Sequence, residues 1–312
     1  MEAVLPPRPR IYSIDGLEDR VRRWERHNAE SLIALACDVP DEGFDALEVN
    51  LELPELKLAF VRGTSHSVIR VGTLIEEKPT GSIAVFVALR GEAVFDSTSS
   101  KRVIRPGQLV ICDPDQPFVR DFGHGLEELA ITIPRSRLEA VSGVAELAGP
   151  IVVDAGRGHD PYGGALIRLA GRSLRKDAAV PVPEELVVEL ISMLVAGDRA
   201  DPALSYRAAA KIFIEENIAN PVLSAADVAT ATGISERHLS RVFAVTAQSV
   251  PRYILARRLD TAYSYLTGSD ATELRTADVA QACGFTSPAY FSQSFHKRFG
   301  RTAGAVRRTG PA

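Results

Sequence analysis

Cysteine is scarce in this chain. Three stand in 312 residues (Cys37, Cys112 and Cys283), an odd number, far apart and without metal-ligand spacing. That argues against a disulfide framework or a thiolate zinc site and makes a reduced, cytoplasmic compartment the default. Cys112, beside Asp113 at the end of a β-rich run, can be read as a redox-sensing thiol or as a buried structural cysteine, and the second reading is preferred. The six histidines (His27, His66, His124, His159, His238 and His296) form no His-x-His pair and no i,i+4 pair on a helical stretch. No carboxylate cluster surrounds His66 or His124, which read as surface or hydrogen-bonded residues, so no metal site is expected. A glycine-rich phosphate loop and a Gly-x-Ser-x-Gly elbow are also missing, so no catalytic residue and no cofactor is assigned, and a non-enzyme is expected. The longest apolar runs, around Ile83–Leu89 and Leu186–Val195, fall well short of the roughly 20 residues of a membrane span. Met1–Arg10 is rich in proline and arginine and lacks the apolar stretch of a signal peptide. No membrane partner is expected.

What is present is an uneven charge. The net charge is −4, yet from Asp201 onward 13 Lys/Arg face 9 Asp/Glu, a balance of +4, which leaves −8 on residues 1–200. A basic tail on an acidic body suits contact with a polyanion. Hydrophobic residues at 46% and charged residues at 24% are ordinary for a globular protein, and the length suits about two cores.

Along the chain, a helix is expected from Leu17 to Cys37. From Phe44 to Ile133 short β-rich runs follow at close spacing: Leu56–Arg62, Ser67–Glu76, Ile83–Leu89, Glu92–Ser97, Val103–Ile104, Gln108–Cys112 and Glu128–Ile133. Breaks at Pro79-Thr80-Gly81, Arg90-Gly91, Arg105-Pro106-Gly107 and Asp113-Pro114 separate them, the pattern of an antiparallel sandwich or barrel. The apolar, partly aromatic runs Leu56–Phe60 and Ile83–Phe86 would suit a small, mostly apolar ligand. Two helical patterns come next, Tyr162–Lys176 and Pro183–Ala196. In the second, Leu186, Leu190 and Leu194 belong to an apolar stripe that reads either as core or as a self-association surface. The expected division is residues 1–160 as a β-rich sensory domain, 161–200 as a helical dimerisation or linker segment, and 203–312 as a helical domain.

That last domain carries a duplication. Ala226-Asp227-Val228-Ala229-x-Ala231-x-Gly233-Ile234 matches Ala277-Asp278-Val279-Ala280-x-Ala282-x-Gly284-Phe285 at an offset of 51. Leu239-Ser240-Arg241-Val242-Phe243 matches Phe291-Ser292-Gln293-Ser294-Phe295 at an offset of 52. Ala229 and Ala280 let a second helix cross close, and Gly233 and Gly284 stand where the chain must leave the first helix. This is the spacing of a helix-turn-helix, present twice and joined by a helical pattern over Val250–Leu266. Ser224-x-x-Asp227 reads as a capping box, and Ser287-Pro288 as a capping serine before a proline at the first helical position. At 100° per residue, Arg237 and Arg241 point away from the apolar face of the first reading helix; Ala289, Gln293 and His296 do so on the second. Candidate DNA contacts are therefore Ser235, Glu236, Arg237, Ser240 and Arg241, then Ser287, Ala289, Gln293, His296, Lys297 and Arg298.

At these residues the chain resembles the AraC/XylS family of transcription factors. The resemblance runs from about Ser205 to Arg308 and is most specific over Gly284–Gly300, with Arg257-Arg258-Leu259-Asp260 in the linker. It departs in Gln293, where many members carry arginine, and in Ala303, where a proline usually follows Phe-Gly. Upstream, Trp24 to Arg137 is similar to the family's barrel-shaped sensory domain, at Arg90-Gly91-Glu92-Ala93, Arg105-Pro106-Gly107-Gln108-Leu109 and Ile133-Pro134-Arg135. The resemblance implies an α+β chain with an N-terminal cupin-like antiparallel β-barrel and a C-terminal all-α tandem helix-turn-helix domain. It also implies double-stranded DNA as partner, a homodimer, a small-molecule effector at an unknown site and RNA polymerase as a further partner. A barrel that serves protein contacts without an effector is the alternative.

Overall fold

A computed structural model describes residues 7–14, 19–40, 43–156, 160–175, 181–268 and 275–309. The chain divides into two compact units: Pro7–Leu174 with Val187–Arg199, and Arg175–Leu186 with Ala200–Ala312. His159 and Lys176 lie outside the described residues.

The first unit is built on two antiparallel sheets. β1 (Arg10–Ser13), β3 (Ala46–Glu52), β4 (Lys57–Gly63), β6 (Ser82–Arg90), β9 (Gln108–Cys112), β11 (Leu126–Pro134) and β12 (Ile151–Asp154) form one, in the order β1-β3-β4-β11-β6-β9-β12. β2 (Ala36–Asp38), β5 (His66–Arg70), β7 (Ala93–Ser97), β8 (Lys101–Ile104) and β10 (Phe118–Phe122) form the other, in the order β2-β5-β10-β7-β8. Residues two apart on these strands share a face. Ala59 and Val61, Ala84, Phe86 and Ala88, and Val68, Phe95, Phe118 and Phe122 thus fill one core between the sheets.

Two expectations are corrected in this unit. The first helix, α1, spans Arg20–Ser31, and Cys37 lies in β2, because Ala36–Asp38 pairs with Ser67–Ile69 of β5. The run Ser67–Glu76 is not one strand: β5 stops at Arg70, and Gly72–Glu77 turns into a short helix, α2. The fully buried Arg70 guanidinium fixes that turn, donating to the carbonyls of Ala34, Lys78 and Pro114. Five strands lie outside the runs read from the sequence: β1, β2, β3, β10 and β12. Two of them carry polar residues in the inward phase, Glu48 and Asn50 on β3 and Arg120 on β10, and this breaks the apolar alternation.

Helices α3 (Arg135–Ser142) and α4 (Pro161–Ser173) follow; Asp160 caps α4 by accepting from the Gly163 amide. Helix α5 (Glu184–Ala196) settles the two readings of its stripe: Leu186 and Leu190 are fully buried and Leu194 is 7% exposed. These side chains are core and are not free for self-association.

The second unit is helical: α6 (Pro202–Glu216), α7 (Ala225–Thr232), α8 (Glu236–Ala244), α9 (Val250–Thr267), α10 (Thr276–Ala282), α11 (Pro288–Phe299) and α12 (Ala303–Thr309). It holds two small cores. One gathers Ile214, Val228, Leu239, Phe243 and Tyr253 around the first repeat, and the other gathers Tyr263, Val279, Phe291, Phe295 and Val306 around the second. Helix α9 contributes to both and joins them. Among the described residues no helix is long and apolar enough to cross a membrane, and no group of three His, Cys, Asp or Glu is disposed to hold a metal.

Candidate nucleic-acid interface

The two repeats fold into the same local structure by partly different means. At α7 the capping box is complete: the Ser224 hydroxyl accepts from the Asp227 amide at 3.3 Å, and the Asp227 carboxylate accepts from the Ser224 amide at 2.9 Å. The Ser224 hydroxyl, hydrogen bonded to Asp227, holds that carboxyl below its ordinary pKa. At α10 the equivalent cap position is Arg275, whose guanidinium forks onto Asp278 with two contacts of 2.9 Å. The turns then coincide. Gly233 has φ +69° and Gly284 φ +80°. The Ile234 amide donates to Ala229 at 3.1 Å, as the Phe285 amide donates to Ala280 at 3.0 Å.

The two glycines differ in their surroundings. A Cβ on Gly233 would meet nothing within 4 Å, whereas one on Gly284 would lie 2.9 Å from the Ile218 carbonyl oxygen and 3.1 Å from that of Ala219. Arg258 runs past the same spot, donating to the carbonyls of Ile218 (3.1 Å) and Asn220 (2.5 Å). The turn of the second motif therefore packs directly on the segment that leads into the first, and this joint fixes one motif against the other. Beside it, the buried Arg257 forks onto buried Glu215 at 2.5 and 3.0 Å, tying α9 to α6.

Helices α8 and α11 each start with a serine cap. Ser235 accepts from the His238 amide at 3.2 Å and Ser287 from the Tyr290 amide at 3.3 Å, so both hydroxyls have a structural role. On α8, Leu239, Val242 and Phe243 are buried, while Glu236, Arg237, Ser240 and Arg241 are exposed along the opposite face. On α11, Phe291, Phe295 and Phe299 are buried, and Ala289, Gln293, His296 and Lys297 share an exposed face. Tyr290, 52% exposed, borders that face and was not among the residues expected from sequence; its place one step after Ala289 is the signal that points to it. Arg298 is set apart from the rest. About 140° around the helix from Gln293, it forks onto Asp260 of α9 at 2.7 and 2.8 Å. Its guanidinium holds α11 on α9.

The histidines and cysteines of the first unit also have clear places. His66 is buried, its Nδ1 2.7 Å from the Thr64 carbonyl oxygen, while His124 is exposed. Burial pushes the Cys112 and Cys37 thiols up to about 12, far from the thiolate that redox sensing requires. The apolar runs expected to line a pocket split between two faces: Ala84 and Phe86 reach the core between the sheets together with Ala59, and Phe60 does not.

Comparison with known proteins bears on both units. A family described as AraC-binding-like domain matches residues 24–197, and a family described as helix-turn-helix domain matches residues 228–309. The chain is 24% identical to the transcriptional activator NphR of Rhodococcus sp, over 96% of this chain and 92% of that protein. It is 34% identical to the transcriptional activator RhrA of Rhizobium meliloti (strain 1021), over 34% of this chain and 33% of that one. The crystal structure of the AraC-like transcriptional activator CuxR is similar in fold, with a TM-score of 0.51 at 18% identity, covering 86% of this chain and 99% of that chain.

Proposed function

The chain belongs to the AraC family of transcriptional regulators, and on that premise we propose that it is a cytoplasmic activator that reads double-stranded DNA with α8 and α11 under control of a small molecule bound in the sheet unit. The observation that carries the DNA reading is the pair of serine-capped helices, each behind a positive-φ glycine turn and each with one wholly exposed polar face. Helix α9, with 18 residues, spans about 27 Å. That length suits two reading helices in successive major grooves about 34 Å apart. Activation follows the names of the relatives, and RNA polymerase is the partner it implies. Effector control rests on the match to AraC-binding-like domains. Pairing into a homodimer would use a surface other than the buried stripe of α5.

The test is selection from random duplexes with the full chain. Enrichment should yield two informative blocks about one helical turn apart; a pool that shows no sequence enrichment overturns the reading. Effector control is tested by screening metabolites for a joint change in melting temperature and DNA affinity, because a ligand that prefers the native state must stabilise it.

A further inference from the structure

The interior of the sheet unit holds charges that a purely structural core would not need. Arg120 is 2% exposed and Glu128 6%; the two form a fork of 2.9 and 2.6 Å. The Arg120 guanidinium lies 4.0 Å from the ring centre of Phe86 and 4.9 Å from that of Phe122. This pair neutralises itself. Glu48 does not belong to it. It is fully buried, and neither carboxyl oxygen has a well-formed hydrogen bond, although Asn50 stands near enough to favour its charged form.

The nearest basic group to Glu48 is His27 Nε2, at 3.5 Å. That nitrogen also lies 2.8 Å from the Asn50 side-chain amide. Burial, opposed by Glu30, lowers the His27 pKa and so disfavours the charged imidazolium. His66 is neutral on the same grounds, lowered first by burial, with Nδ1 donating to Thr64. The groups around Glu48 are therefore a neutral His27 on α1, Asn50 on its own strand, Glu128 on β11, and an Arg120 already paired. Among the described residues, the basic group within ion-pairing distance of Glu48 is thus a His27 that burial holds uncharged.

The row of residues next to it borders an open cleft. Glu48, Val61 and Glu128 form one cross-strand row on the inner face of the larger sheet. The next row outward is Ala46, Gly63 and Leu126, about 7 Å along the strands. Those three residues line a cleft of about 520 Å³ at that end of the sheets. A series of buried rings packs in the same unit: Trp24, Phe44, His66 and Phe122 follow one another with centres 6.1, 5.1 and 5.0 Å apart.

Resting on the reading that the sheet unit takes an effector, we propose that the effector is a small organic cation, an ammonium or amidinium, whose charged group enters through the end cleft and pairs with Glu48. The charges favour this class. With Glu48 ionised, the local set of Glu48, Glu128 and Arg120 carries two carboxylates against one guanidinium; a cation balances it, and an anion would add to the excess. Aromatic faces around a carboxylate are also the surroundings in which alkylammonium groups are held. Before binding, the carboxyl is kept protonated, its pKa raised to about 8 by burial first, with Asn50 opposing and Glu128 adding. The bound cation takes the place of that proton, which leaves to solvent.

The experiment uses the full chain and a charge-matched panel: choline with its uncharged isostere 3,3-dimethylbutan-1-ol, and benzylamine with benzyl alcohol and benzoate. The cations should raise the melting temperature of the wild type and leave that of Glu48→Gln unmoved. In calorimetry near neutral pH in two buffers of different ionisation enthalpy, close to one proton should be released per cation bound. Affinity should rise about tenfold per pH unit below a plateau near 8. Cation binding that persists in Glu48→Gln, or that releases no proton, overturns the assignment, as does silence of both cations at millimolar concentration. A neutral or anionic compound that shifts both stability and DNA affinity, equally in wild type and variant, overturns the cation class while leaving effector control standing.

Discussion

Glu48 illustrates how one side chain couples stability to pH. A carboxyl with a folded pKa near 8 and an ordinary unfolded value favours folding only while it is protonated. Its contribution is complete below the ordinary glutamate range and is lost as pH rises toward 8. Between those limits the cost accrues at up to about 1.4 kcal/mol per pH unit. Glu48→Gln keeps the shape and removes the ionisation, so its melting temperature should exceed that of the wild type at pH 8 and match it near pH 4. Equal pH profiles for the two proteins would show that Glu48 is not the buried titrating group. Arg298 and its neighbour Lys297 make a second residue-scale contrast. Arg298→Ala leaves Asp260, 22% exposed in its side chain, without its fork and should cost about 1 kcal/mol in denaturant titrations while leaving the salt dependence of DNA binding nearly unchanged. Lys297→Ala should do the reverse, lowering the slope of log K against log salt by about 0.9 if it neutralises one phosphate.

At the scale of elements, the two helix-turn-helix units were legible because their constraints are local. Ala229 to Gly233, and Ala280 to Gly284, announce a close crossing followed by a left-handed residue, and a cap must lie next to the helix that it caps. The strands were legible where apolar alternation survives, as on β6, β9 and β11, and hidden where function or charge interrupts it. On β3 and β10, Glu48, Asn50 and Arg120 occupy the inward phase, so the residue proposed to hold a ligand, Glu48, is among those that disguised their strands. The stripe of α5 was ambiguous because periodicity shows that a face is apolar but not what covers it. Nor did the repeat reveal that its two glycines differ. Gly233→Ala meets only the cost of positive φ, about 1 kcal/mol. Gly284→Ala also drives a Cβ into the Ile218 and Ala219 carbonyls and should cost roughly 3 kcal/mol, since backbone there has no room to retreat. Equal losses from the two substitutions in thermal unfolding would mean that the joint between the motifs gives way easily.

For the whole molecule, the asymmetry between the motifs predicts an uneven division of DNA reading. The exposed face of α8 carries Arg237 and Arg241 one turn apart, both able to reach one groove, and an arginine can donate two hydrogen bonds to the O6 and N7 of guanine. The exposed face of α11 offers Ala289, Gln293 and His296. Gln293 can pair with adenine and Ala289 can touch a thymine methyl, but with Arg298 engaged by Asp260 the positive charge nearest that face is Lys297. Sequence discrimination should therefore sit mainly in the first motif, with the second holding register along the duplex through the rigid joint at Gly284 and Arg258. In titrations of full-length protein on its selected site, Arg241→Ala should cost about 1–3 kcal/mol and flatten the preference at the base pairs under α8. Gln293→Ala should cost less and leave that preference intact. The division of labour is wrong if Gln293→Ala abolishes specific binding while Arg237→Ala and Arg241→Ala are tolerated, because the discriminating contacts would then lie on the helix with the fewer charges.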